Sequence, residues 1–192
     1  GKKTVNKIKT FTVPFDSGEI ANKITLNTNT LSKPSKEQII NQAIQFHLKG
    51  NISEATQYYQ YCIKLGFNDH QVFSNYAGIL QGIGKLEAAE ISLRKAIKLK
   101  PDFAEAHSNL GNILKDLGKL QDAELSTRKA IEINPNYAKA YSNLGNVLKE
   151  LSKLQDAEKS YRKAIEINPD LAEPYFSFTL IKNSDVNTTW QD

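Results

Sequence analysis

Four asparagines, Asn41, Asn75, Asn109 and Asn143, stand at a constant interval of 34 residues. A primary amide carries two donors and an acceptor, so a file of amides can hold the N–H and C=O groups of an extended chain. Asn112 and Asn146 follow three residues after the last two, and Lys115 and Lys149 six residues after them. These residues form the candidate peptide-binding set. A plainer reading stands beside it: asparagine is a solvated polar residue, and duplication of a repeat copies it along.

Other reactive types offer less. His47, His70 and His107 have no metal-ligand spacing and no cysteine partner. Cys62, the single cysteine, excludes a disulfide framework and stands where a small residue is wanted. Gly82-Ile-Gly84-Lys85 resembles a phosphate loop only faintly, because Ile79 stands in place of the first glycine and Leu86 in place of the metal-binding hydroxyl. We therefore expect no catalytic residues, no metal, no cofactor and no enzyme activity.

Composition is that of an ordinary folded chain. Charged residues make up 24% and hydrophobic residues 40% of the 192, as in folded globular chains. No apolar run reaches the ~18 residues of a membrane span. The net charge is +4, and the first 35 residues carry all of it, through six lysines against Asp16 and Glu19. A neutral body lacks the footprint of a nucleic-acid binder. A secretory leader is not evident at Gly1-Lys-Lys, so the expected setting is cytoplasmic. Asn51-Ile-Ser53 and Asn187-Thr-Thr189 then carry no glycan.

The elements that position the asparagines come from a repeat. Ala104–Tyr137 lies over Ala138–Leu171 with about 25 of 34 residues identical, a self-similarity to be read before anything else. Ala43, Ala77, Gly111 and Gly145 share one register position. Ala55, Ala89, Ala123 and Ala157 share a second, and Cys62, Ala96, Ala130 and Ala164 a third. Small residues let helix backbones approach closely. Gly50, Gly84, Gly118 and Ser152 mark a turn, and Pro101, Pro135 and Pro169 a stop. Each unit thus predicts helix, turn, helix, stop. Ser35 with Gln38 predicts a capping box at the first helix. The predicted organisation is an extended or disordered basic arm over 1–34, a solenoid over 36–182 and a tail over 183–192. The units are 36–69 (degenerate), 70–103, 104–137, 138–171 and a partial 172–182. Phe11, Val13 and Phe15 could dock the arm onto the body, and Tyr175, Phe176, Phe178, Leu180, Ile181 and Trp190 form an apolar end suited to self-association.

Tyr141, Leu144-Gly145, Leu148, Ala157, Tyr161, Ala164 and Pro169 fill the signature of the tetratricopeptide repeat, which the chain resembles. Thr127, His107 and Phe67 depart from it. The resemblance implies an all-α, right-handed superhelix whose first helices line a concave groove that binds a peptide or protein. Helical spacing places Phe73, Tyr76, Ala77 and Leu80, and then His107, Leu110, Gly111 and Leu114, on the buried side, and assigns Ser108, Asn109, Asn112, Ser142, Asn143 and Asn146 to the face that packing leaves open. The asparagine file resembles that of the repeat domain in O-linked N-acetylglucosamine transferases, which implies an alternative role as the substrate-targeting region of a larger transferase. The carboxylate clamp of chaperone-binding repeats is not expected, since Ile40 and Ile44 occupy its Lys and Asn positions.

Overall fold

The computed structural model describes residues 34–171 and Pro174. Eight helices run through the described residues: α1 (Lys36–Leu48), α2 (Ile52–Lys64), α3 (His70–Gly82), α4 (Leu86–Leu99), α5 (Ala104–Asp116), α6 (Leu120–Ile133), α7 (Ala138–Glu150) and α8 (Leu154–Ile167). No strand occurs among them. The predicted arm and the apolar end with Trp190 lie outside the described residues.

Local chemistry sets the helix ends. Ser35 Oγ accepts from the Gln38 N–H at 3.2 Å while Gln38 Oε1 accepts from the Ser35 N–H at 2.8 Å, closing the predicted capping box. Asp69 caps α3 by accepting from the N–H groups of Gln71 and Val72. The turns within the helix pairs all use a left-handed residue: Gly50, Gly84 and Gly118 at φ 75°, 74° and 72°, and Ser152 at φ 60°. In each, two crossed hydrogen bonds close the turn, as in Gly84 N–H to Gln81 O and Lys85 N–H to Leu80 O. The stops differ. Lys100, Asn134 and Asn168 are extended, as a residue before proline must be. The first pair has Phe67 in place of proline and ends on Gly66 at φ 75° instead.

Packing is pairwise and sequential. Each odd-numbered helix packs on the even-numbered helix that follows it, and α5 and α7 pack on the even-numbered helices that precede them. Helices α5 and α7 touch directly, while α4, α6 and α8 hardly touch one another. The odd-numbered helices therefore line the inner, concave side, and the others splay on the convex side. The small residues are fully buried at the crossings: Ala55, Ala89, Ala123 and Ala157 are each 0% exposed. At Gly145 a Cβ would meet Tyr161 Cε1 at 2.5 Å, so glycine is required there. Gly111 is held likewise under Thr127. Cys62 is buried in the first of these cores, and burial pushes its thiol up to about 12.

Candidate functional site

The concave face is built from α3, α5 and α7. Side chains at intervals of four, three and four residues share one side of a helix. On α5 that stripe is Glu105, Asn109, Asn112 and Asp116; on α7 it is Lys139, Asn143, Asn146 and Glu150; on α3 it is Gln71, Asn75, Gly78 and Gly82. Glu105, Lys139, Gln71, Gly78, Gly82, Asp116 and Glu150 are exposed.

The asparagines do not behave alike. Asn143 is buried, and its Nδ2 donates to Ser108 Oγ at 3.0 Å and to the Ser108 carbonyl at 3.3 Å. Asn146 Oδ1 accepts from the Tyr161 hydroxyl at 2.7 Å. Asn75 lies against the Tyr59 hydroxyl. Burial pushes that phenol up to about 12 and Asn75 partly opposes the shift, yet no hydrogen bond of good geometry forms. Asn109 and Asn112 are half-buried, Asn41 is exposed, and no side-chain hydrogen bond to any of the three forms among the described residues.

This corrects the facial assignment made from spacing. Ser108 and Ser142 are 0% exposed and Asn143 5%, so they lie in the packing and not on an open face. The cause is architectural. An inner helix of a solenoid packs against its own partner and also against the neighbouring inner helix, so it buries two sides. The second side was readable in the apolar pairs Val72/Ile79, Ala106/Ile113 and Ala140/Val147, seven residues apart and all buried, which a search for a single buried stripe passes over.

The lysines are also unequal. Lys115 Nζ reaches Asp116 at 2.6 Å and Glu150 of the next pair at 3.6 Å. Burial works against its charge, but the two carboxylates outweigh it and hold its pKa above the ordinary value. Gln81 donates to the other oxygen of Asp116 at 3.1 Å. The rim between α3, α5 and α7 is thus a chain of mixed charge. Lys149, one unit on, makes no ion pair among the described residues.

No group of three or more metal-ligating side chains occurs among the described residues. His107 is half-buried and its Nε2 donates to the Pro101 carbonyl at 2.9 Å. No described helix is long and apolar enough to cross a membrane. The convex side carries a shallow hollow of about 410 Å³ with a floor of Tyr141, Leu144 and Leu148 under Arg128 and Lys159.

The tetratricopeptide repeat profile matches residues 104–137 and 138–171, and a second profile of TPR repeats matches 83–118. No match to a curated protein reaches significance. Among solved structures, the MamA protein superposes with a TM-score of 0.67 at 26% identity, over 78% of this chain and 82% of that one. YrrB, described as a TPR protein with an unusual peptide-binding site, gives 0.68 at 20% identity, over 83% and 84%. The first TPR of Spaghetti (RPAP3), solved with the HSP90 peptide SRMEEVD, gives 0.59 at 24% identity, over 62% and 94%. Stacked helix pairs turning on left-handed residues, glycines held under Thr127 and Tyr161, and these matches agree, and residues 83–171 are built of tetratricopeptide repeats.

Proposed function

We propose that this chain is a protein-interaction scaffold that holds an extended segment of a partner in the concave groove of its solenoid. The observation that carries the reading is the pair Asn109 and Asn112: two amides on one stripe of α5, half-buried, with no side-chain hydrogen bond among the described residues. A half-buried amide without a partner is poised to take one, and a peptide main chain supplies the matching donor and acceptor. The neighbouring structures solved with or described as having peptide sites support the same reading by analogy of fold. Lys115, Asp116 and Glu150 give the rim both signs of charge, so the main chain and not net charge selects the ligand. Asn143 and Asn146 hold the groove in shape from one side.

A random peptide library panned against the full chain supplies ligands, and an NMR titration maps them. Shifts centred on Asn75, Asn109 and Asn112 support groove binding. Shifts confined to α4, α6 and α8 overturn it.

A further inference from the structure

The helix pairs treat their lysines differently. Near the end of α6, Lys129 pairs with Glu132 at 2.6 Å, and near the end of α8, Lys163 pairs with Glu166 at 2.8 Å. The same two positions in α4 are Lys95 and Lys98, and Lys100 follows where the later units have Asn134 and Asn168. Helix α2 carries Lys64 in register with Lys98, Glu132 and Glu166. None of Lys36, Lys64, Lys95, Lys98 and Lys100 makes an ion pair among the described residues. Like charges one turn apart repel and weaken a helix. The first two pairs therefore keep a self-repelling set of cations at positions where the last two place a glutamate.

These lysines share one edge of the solenoid. The turns at Gly50 and Gly84 close one edge of the first two pairs, and the links from α2 to α3 and from α4 to α5 form the other. Ring contacts tie that second edge together. Lys36 Nζ stands 5.6 Å from the centre of the Phe67 ring and Lys100 Nζ 5.5 Å from that of Phe103. His70 meets Phe103 edge-to-face with ring centres 4.9 Å apart, and Lys95 Nζ lies 5.9 Å from the Phe73 ring. Lys36, Lys64, Lys98 and Lys100 are exposed. Against them stand Glu37, Asp102 and Glu105, while Asp69 is engaged as the cap of α3. Residues 1–35, with six lysines against Asp16 and Glu19, join the body at the same edge.

We propose that this edge is a second docking surface, which takes an acidic segment of a partner protein, a run of aspartates or glutamates. Carboxylates of the segment supply the counter-charge that Glu132 and Glu166 supply in the later units, and relieve the repulsion between Lys95 and Lys98. The surface is distinct from the asparagine stripes of the concave groove, whose rim carries both signs of charge. A nucleic acid fits it less well. Phosphate is held best by the planar fork of arginine, and the edge offers only lysine. Bases need a free ring face to stack on, and Phe67, Phe73 and Phe103 are half-buried with lysines over them.

The test uses the full 192-residue chain and a fluorescein-labelled octaglutamate peptide, followed by anisotropy at low and at high salt. Binding that weakens as salt rises is expected. Lys98→Glu combined with Lys100→Glu should weaken it by about tenfold. Lys98→Glu also rebuilds the Lys–Glu pair of α6 and α8, so the melting temperature should not fall. Lys49→Glu combined with Lys159→Glu makes the same change in net charge at exposed residues elsewhere, and should change affinity by less than about twofold. Equal losses in the two double variants would reduce the effect to net charge and overturn the surface. Absence of binding at low salt overturns it as well. An oligothymidylate of matched charge that binds as tightly as octaglutamate, and is lost in the Lys98→Glu, Lys100→Glu variant, would make the edge a nucleic-acid site and overturn the acidic-segment reading.

Discussion

Asn143 Nδ2 stands 3.0 Å from Ser108 Oγ, across the junction between two successive inner helices. A side chain that spacing places on an open groove is in fact a staple between units. Asn143→Ala would leave Ser108 buried without its partner, and should destabilise the fold by about 1–3 kcal/mol. Asn109→Ala, at the same register position one unit earlier, should move stability by no more than about 0.5 kcal/mol. Urea melts of the two variants side by side check the contrast.

Glycines provide the second contrast. Gly145→Ala drives a methyl group into the Tyr161 ring, 2.5 Å from Cε1, and should destabilise by about 1–3 kcal/mol through overpacking. Gly78→Ala meets nothing within 4 Å and should stabilise by about 0.5–1 kcal/mol from helix propensity alone. Opposite shifts in melting temperature are the expected result.

Acid should weaken the links between units. Glu90 accepts from Arg94 of its own helix and from Lys119 of the next pair at 2.7 Å, and Glu124 repeats this with Arg128 and with Lys153 at 2.8 Å. Burial raises the Glu90 pKa, but hydrogen bonds from Lys119 and Arg94 outweigh it; at Glu124 the Lys153 bond is the largest influence. Both carboxyls end below their ordinary value of 4.5. A depressed carboxylate contributes stability that is full above the unfolded pKa and is lost as pH falls through the folded pKa. The lysines are half exposed, so each link contributes only about 0.2–1 kcal/mol. The Glu90→Gln, Glu124→Gln double variant should therefore lose less stability than the native chain between neutral pH and pH values below 4.5.

Much of the fold was legible because the repeat restates it. The helix pairs, the left-handed turn at Gly50, Gly84, Gly118 and Ser152, and the buried small residues all follow from one period. The site was less legible. Identical asparagines at identical spacing have different partners, and the difference lies in residues far away in sequence. Asn146 is held because position 161 is tyrosine, while Thr127, one unit earlier, turns its hydroxyl back onto the Ala123 carbonyl and leaves Asn112 alone. Asn143 is held because its junction is closed. No periodicity within one helix reports how tightly the next helix sits.

Cys62 gives a check on the first core. The thiol is 0% exposed and burial pushes it up to about 12, so thiolate is scarce at neutral pH. A thiol reagent should modify it only as fast as the fold opens, and denaturant should make the reaction prompt. Rapid labelling of the native chain would show the α1–α2 pair open in solution.

The central claim is that the unpaired amides of α5 hold a partner's main chain. Isothermal titration of a library-selected peptide into the native chain and the Asn109→Ala, Asn112→Ala double variant tests it most directly. Each amide contributes hydrogen bonds worth about 0.5–1.5 kcal/mol net, so affinity should fall by about tenfold or more while the melting temperature stays put. An unchanged affinity in a folded double variant would contradict the account.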